Sequence, residues 1–238
     1  MILQRPENIP YPSEWLHFKA RDVNNDNLVD YVIKDVPEEH FKKAIEHMVL
    51  YFINDEPINV CLNMANDRLG IENFKTMWEH FLTKKCVLAC YKVGSEEIVG
   101  LNFVGIEMQS PEKAKNFKSK NFDKLVKTMI YCSKQFDMYK NYGIDRYLTA
   151  CGLSVHPNYR GRGIGEQILR ARVPMCKALG VKATSTVFTG AASQRSAEKC
   201  GFEVKFEETY ENLAKLGEDY SFPGVKEKII KTMCMKIE

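Results

Sequence analysis

Apolar and polar residues alternate along 13–34 around a polar break, and a period of two marks half-buried strands. The alternation predicts two short strands, "WLHFKA" and "LVDYVIK", joined by a polar turn. The period then lengthens. Phe41, Ala44, Ile45, Met48, Val49 and Phe52 share one side of a helix that opens at Pro37, Glu38 and Glu39. It ends near "NDEPIN", where Pro57 cannot continue it. A second helix is predicted over 66–83, then a β-hairpin from "CVLACYKV" (86–93) and "EIVGLNFVGIEM" (97–108). "RYLTACGLSV" (146–155) is a nearly unbroken apolar strand of the sort buried on both faces. Next come a helix over 164–179 closed by Gly180, a strand at 181–188, and a short helix within 191–202 ended by Gly201. "EVKFEETY" and "KIIKTMCMKI" are two closing strands.

A strand–helix–strand core inside a mixed sheet predicts an α/β (α+β) fold, organised as one domain over 1–238. The segment 111–140 reads as a helical insertion. It carries Lys113, Lys115, Lys118, Lys120, Lys124 and Lys127, with Phe122, Val126, Met129, Cys132 or Ser133, and Phe136 along one side. A solvated helix face explains those lysines best; attraction of an anionic cofactor is the second reading.

Composition narrows the class. A net charge of +3, without a basic tail or aromatics interleaved with lysines, gives no footprint for nucleic acid. Neither a signal-peptide apolar region nor a run of eighteen apolar residues is present, so no membrane association is expected and a soluble, cytoplasmic protein, monomeric or weakly dimeric, is. The eight cysteines include no CxxC pair and read as reduced thiols acting as small hydrophobes. No metal is expected, because the five histidines keep no familiar ligand spacing to Cys or Glu. "DVNNDNLVD" begins like a calcium loop with Asp22, Asn24 and Asp26. It then has Asn27 for the turn glycine and Ile33 for the bidentate glutamate, which leaves a polar turn.

The densest chemistry lies in "SVHPNYRGRGIGEQIL", a strand-to-helix turn with three glycines and two arginines in six residues. The first N–H groups of a helix have no partner within the helix, the dipole adds positive charge, and glycines admit a bulky anion close to the backbone. Such a turn suits a phosphate or pyrophosphate. It is no Walker loop, since Gly165 is followed by Glu166 and Gln167. Nor is it a dinucleotide fingerprint, since the spacing is G-x-G-x-G and "VKATSTVF" offers no carboxylate. His156 precedes Pro157 here and reads as a turn residue rather than an acid or base.

Arg160, Gly161, Arg162, Gly163, Ile164 and Gly165 fit the (Gln/Arg)-x-x-Gly-x-(Gly/Ala) signature, and together with "LSVHPNYRG" before them the chain resembles the GCN5-related N-acetyltransferases. "SAEKCGF" resembles that superfamily's closing helix, near the pantetheine and thiol. The resemblance implies a mixed, mostly antiparallel sheet flanked by helices, with acetyl-CoA as cosubstrate and no metal. It also implies that the loop wraps the pyrophosphate while the backbone of Leu153, Ser154 and Val155 holds the pantetheine.

"FINDEPINV" is similar to the corresponding segment of the insect arylalkylamine N-acetyltransferases, the branch that includes dopamine N-acetyltransferase. The similarity implies that Glu56 is the general base and that hydroxyls at Ser193 and Thr189 take part. Thr189 stands where the family usually has serine. Ala197 stands where many superfamily members carry a tyrosine, which excludes a tyrosine acid at that place. Asp55 is the neighbouring carboxylate, a structural or orienting group. Read without the resemblance, Glu56 is an exposed turn carboxylate, and Ser193 equally fits a helix N-cap.

The chemistry needs a base, because an alkylamine is neutral in only about one molecule in a thousand at pH 7. The implied activity is acetyl transfer to a small-molecule amine such as dopamine, serotonin, tryptamine or histamine. Acetylation of agmatine or polyamines is the alternative in the same class. A non-catalytic coenzyme A-binding module is the alternative in another.

Overall fold

The structure is a computed structural model and describes residues 1–25, 27–110 and 117–238. Among the described residues nine strands form one sheet: β1 (Ile2–Leu3), β2 (Glu14–Arg21), β3 (Leu28–Asp35), β4 (Leu88–Lys92), β5 (Ile98–Met108), β6 (Arg146–Val155), β7 (Ala183–Phe188), β8 (Glu203–Thr209) and β9 (Ile229–Lys236). Their order is β2-β3-β4-β5-β6-β7-β9-β8, with β1 beside β5. Every pairing is antiparallel except β6 with β7. The mixed α/β fold expected from the sequence is the one observed.

Helices cover both faces, so successive strand residues enter different cores. Val32, Ala89, Tyr91, Leu101 and Phe103 pack with α1 (Phe41–His47), α2 (Pro57–Cys61), α3 (Arg68–Leu82) and α4 (Lys120–Lys134). The short α5 (Met138–Tyr142) follows α4. Tyr31, Ile33, Leu88, Cys90 and Val104 pack on the other side against α6 (Ile164–Arg170) and α7 (Arg172–Ala178). Two further helices, α8 (Ala191–Lys199) and α9 (Tyr210–Ala214), flank the last strands. All eight cysteines are free thiols. Among the described residues no helix is long and apolar enough to cross a membrane.

Several expectations change in detail. The helix predicted over 164–179 divides at Ala171, because Pro174 has no N–H to give the carbonyl of Arg170. Pro57 does more than end one helix: it is the first residue of the next, where its missing N–H costs nothing. Lys113 and Lys115 lie outside the described residues. Lys124 and Lys127 meet carboxylates, Glu218 at 3.2 Å for the first and Asp219 at 2.7 Å for the second. Lys127 is exposed, but the Lys124 side chain is largely covered and lies over the Phe222 ring, so the helix face is solvated only in part. In the polar turn, Asp22 pairs with Lys92 at 2.9 Å and its N–H donates to Asn27 O at 2.9 Å; Asp26 lies outside the described residues.

The largest difference concerns β6. Its apolar run predicts burial on both faces, yet residues 149–153 are only half-buried. Against β5 its register advances by three residues, from Leu153 to Ala150, while β5 advances by two, from Asn102 to Val104. The extra residue makes a β-bulge at Cys151 and Gly152, with Gly152 at φ +139°. On its other side β6 meets β7 at one register pair, Leu148 with Thr184, and beyond it the strands part into a cleft. A buried histidine docks α1 onto this strand: His47 Nε2 lies 3.2 Å from Ser154 Oγ. Burial, reinforced by the charge of His156, pushes the His47 imidazole down to about 4.

Two measurements check this account. Gly152→Ala places a side chain at a positive φ and toward the methyl carbon of Met48, 2.6 Å from the ideal Cβ. The methionine can move aside, but the backbone strain stays. A loss of roughly 1–3 kcal/mol is expected, read as a melting temperature several degrees lower. For His47, the unfolded chain takes up a proton more readily than the folded one as pH falls from about 6.5 to about 4. Stability is therefore full above that window and lost through it. Urea unfolding should show the native protein losing up to about 3 kcal/mol more than His47→Gln across those pH values.

Candidate active site

The glycine turn opens where β6 ends. Gly161 and Gly163 sit at φ +75° and +76°, and a Cβ at either would meet open space, so their backbone stays approachable. Gly163 is the N-cap of α6, and no side chain caps the helix's first N–H groups. The two arginines take different parts. Arg160 stands at the rim, its Nε donating to Val155 O at 3.0 Å and its Nη1 3.1 Å from Asp55 Oδ1. Arg162 is turned aside to brace the loop, donating to Asn158 O at 2.8 Å, Arg160 O at 3.0 Å and Asp22 O at 3.4 Å.

Glu56 arrives from the opposite side of the sheet. After α1 the chain makes a π turn over Met48–Phe52, and Glu56 becomes the N-cap of α2. Its Oε1 accepts from Ile58 N at 3.1 Å and its Oε2 from Asn59 N at 2.7 Å. Loss of hydration raises its pKa above the ordinary carboxylate value. The Thr189 hydroxyl and those two N–H groups act against that rise by favouring the charged form. Part of the side chain still faces the cleft, although protein encloses the carboxylate closely. Glu56 and Thr189, far apart in sequence, therefore share one polar contact.

Ser193 is near them but differently employed. It lies within the first turn of α8, whose N-cap is Gly190, so the expected N-cap role belongs to the glycine. Its hydroxyl donates to Gly190 O at 2.8 Å. His156 is a turn residue, as expected: its Nδ1 accepts from Asn158 N at 3.2 Å, and its ring stacks edge-on against Tyr51 at 4.6 Å.

Sequence reading missed Arg172. Its side chain is fully buried on α7, and its Nε donates to Asn102 Oδ1 at 2.9 Å. Its Nη1 donates to Thr184 Oγ1 at 3.2 Å and Thr186 Oγ1 at 2.8 Å, while its guanidinium lies 5.6 Å from the Phe202 ring centre. Asn102 Nδ2 donates onward to Gly152 O at 2.7 Å, and Thr184 Oγ1 to Leu148 O at 2.8 Å. These bonds tie β5, β6 and β7 together where the backbone ladder fails. Burial lowers the Arg172 pKa to about 10, which leaves it charged at neutral pH. A signal was present in the sequence, since Arg172 continues the apolar i, i+4 series of Ile164 and Ile168.

One cleft of about 2700 Å³ joins these parts. Its lining includes Glu56, Thr189 and Ser193, the strand residues Leu153, Ser154 and Val155, and the turn residues Arg160, Gly161, Gly163, Ile164 and Gly165. Of the residues expected at the site, Arg162 alone does not line it.

Comparison with known proteins gives the family of the chain. Residues 123–204 match the acetyltransferase (GNAT) domain family. An insect protein from the yellow fever mosquito Aedes aegypti, provisionally described as arylalkylamine N-acetyltransferase 7, is 38% identical. The match covers 99% of this chain and 100% of that one, with a TM-score of 0.96. Arylalkylamine N-acetyltransferase 2 from Aedes aegypti shares the fold at 22% identity and a TM-score of 0.79, covering 87% of this chain and 99% of its own. The Drosophila melanogaster polyamine N-acetyltransferase, described as forming N-acetylagmatine, shares it at 14% identity and a TM-score of 0.71, covering 87% and 100%. The chain thus belongs to the GCN5-related N-acetyltransferase superfamily and, within it, to the insect arylalkylamine N-acetyltransferase branch.

Proposed function

We propose that this N-acetyltransferase carries acetyl from acetyl-CoA to the primary amine of an arylalkylamine of the dopamine, serotonin, tryptamine or histamine class, with Glu56 as general base. The observation that carries the reading is Glu56 itself, a carboxylate with a raised pKa, held by the N–H groups of Ile58 and Asn59, near the Thr189 hydroxyl, and facing a cleft that begins at an uncapped glycine turn.

The residues fit the cosubstrate. The positive-φ glycines keep the backbone of the turn approachable, and Arg160 adds charge at its rim. Beyond Leu148, the edge of β6 toward β7 has no ladder partner, so the backbone at Leu153 and Val155 can bond an extended amide chain. Bound there, acetyl-CoA would supply an activated acyl carbon as its thioester.

Glu56 takes the proton that keeps the amine from attacking. A base works best when its pKa approaches the working pH, and burial moves Glu56 in that direction. The two N–H groups hold the carboxylate in one orientation, which favours proton transfer at a fixed place. N–H groups of the β6 edge stand ready to meet charge developing on a carbonyl oxygen. Phe52 and Tyr220 give the cleft aromatic wall suited to an aryl group. Glu227 also lines it and favours a second reading, in which a distal cation such as that of agmatine or a polyamine is met by this carboxylate.

Mass spectrometry of products from acetyl-CoA with dopamine, tryptamine, histamine, agmatine, spermidine and a lysine peptide tests the assignment. Acetylated aromatic amines are expected; acetylagmatine or acetylspermidine would move the pocket to the Glu227 reading. No product from any amine while acetyl-CoA still binds would favour a silent binding module. Glu56→Gln should keep acetyl-CoA affinity and lose about 10²–10⁴-fold in turnover; undiminished turnover would remove Glu56 as base. Thr189→Val deletes a bond that lowers the Glu56 pKa, so the acid limb of the kcat/KM profile should move to higher pH.

A further inference from the structure

A charged group buried without an opposite charge demands an explanation, and Arg172 is such a group. Its side chain has no exposed surface, and each acceptor it does find is neutral: one amide oxygen and two threonine hydroxyls. The ionisable groups that face it are Cys176 and Cys200, and burial holds both thiols neutral, with pKa values pushed up to about 12 and about 11. Its Nη2 has no hydrogen-bond partner among the described residues. Yet Arg172 contributes to the lining of the cleft, beneath the point where β6 and β7 separate.

Among the described residues, neither position 197 nor Ser193 offers a free acid. Position 197 holds alanine, fully buried, and the Ser193 hydroxyl is engaged with Gly190 O. In acetyl transfer the amine nitrogen bonds to the acyl carbon, the carbon–sulfur bond breaks, and its electron pair stays on sulfur. The amine proton passes to Glu56 and then to solvent. Where no proton is delivered in the same step, the sulfur leaves as a thiolate whose charge must be met in the cleft.

We propose that Arg172 is that counter-charge: its guanidinium, enclosed beneath the floor of the cleft and held by Asn102, Thr184 and Thr186, meets the departing thiolate through the field of its uncompensated charge rather than by direct contact. Arg172 keeps its own proton throughout. The thiolate is protonated only after release. The inference rests on the acetyl-transfer reading, and its test reads the ligand's thiol rather than turnover.

The experiment is an ultraviolet titration of coenzyme A bound to the native protein, with bound desulfo-coenzyme A as the blank that cancels the protein's own thiols. The bound thiol should ionise at least about one pKa unit below free coenzyme A, a tenfold gain in the ratio of thiolate to thiol. Arg172→Lys should keep part of the shift, and Arg172→Gln should lose it while still binding desulfo-coenzyme A. A native complex that titrates like free coenzyme A overturns the proposal, as does a Gln variant that binds coenzyme A and keeps the shift. If the Gln variant does not fold, the native titration decides alone. A lowered thiol pKa without any amine product would retain Arg172 and remove the functional reading. Failure to bind either coenzyme would overturn both.

Discussion

Two neighbouring parallel strands that pair at a single register position leave a row of N–H and C=O groups without ladder partners. A folded protein tolerates such a row only where something else satisfies it. Here the separation of β6 from β7 comes from the bulge at Cys151 and Gly152, which adds one residue to β6 and turns its end away. The glycine turn, the cleft and the half-buried middle of β6 all follow from that divergence. So does the need for a repair beneath it.

Arg172 supplies the repair. A guanidinium presents several N–H donors in a fixed plane, which lets one side chain reach Asn102 on β5 and Thr184 and Thr186 on β7 together. Asn102 and Thr184 in turn bond carbonyls of β6 at Gly152 and Leu148. Three strands are thereby joined through side chains where backbone pairing ends. An apolar residue of equal size would fill the space but would leave those acceptors unpaired, at about 1–3 kcal/mol each. The cost is a buried charge, and it is placed where an anion formed in the cleft could offset it.

Glu56 shows the same balance with the opposite sign. Its carboxylate caps α2, and the N–H groups of Ile58 and Asn59 favour its charged form, as does Thr189. Loss of hydration disfavours that form and wins. The outcome is a carboxylate held in one place by two N–H donors yet easier to protonate than one in water. Orientation comes from the bonds and basicity from the burial.

Much of this was legible in the sequence because it depends on local spacing. Period-two alternation located strands within a residue or two, glycines at left-handed positions marked turns and helix ends, and the Arg-Gly-Arg-Gly-Ile-Gly run sits at the mouth of the cleft. Glu56 and Thr189 were individually identifiable through the family resemblance. Their contact was not, because it forms between the α1–α2 corner and the end of β7 once the sheet has assembled. The bulge in β6 was hidden for a similar reason: "TACGLS" is compatible with an unbroken strand until the register against β5 fixes which residue is extra. Only tertiary structure could decide the parts of the two arginines in the turn, since the same charge serves the rim at Arg160 and the loop's own carbonyls at Arg162. Local sequence dictates which backbone conformations are cheap; which polar groups lose water, and which partners then remain within reach, is set when distant segments pack together.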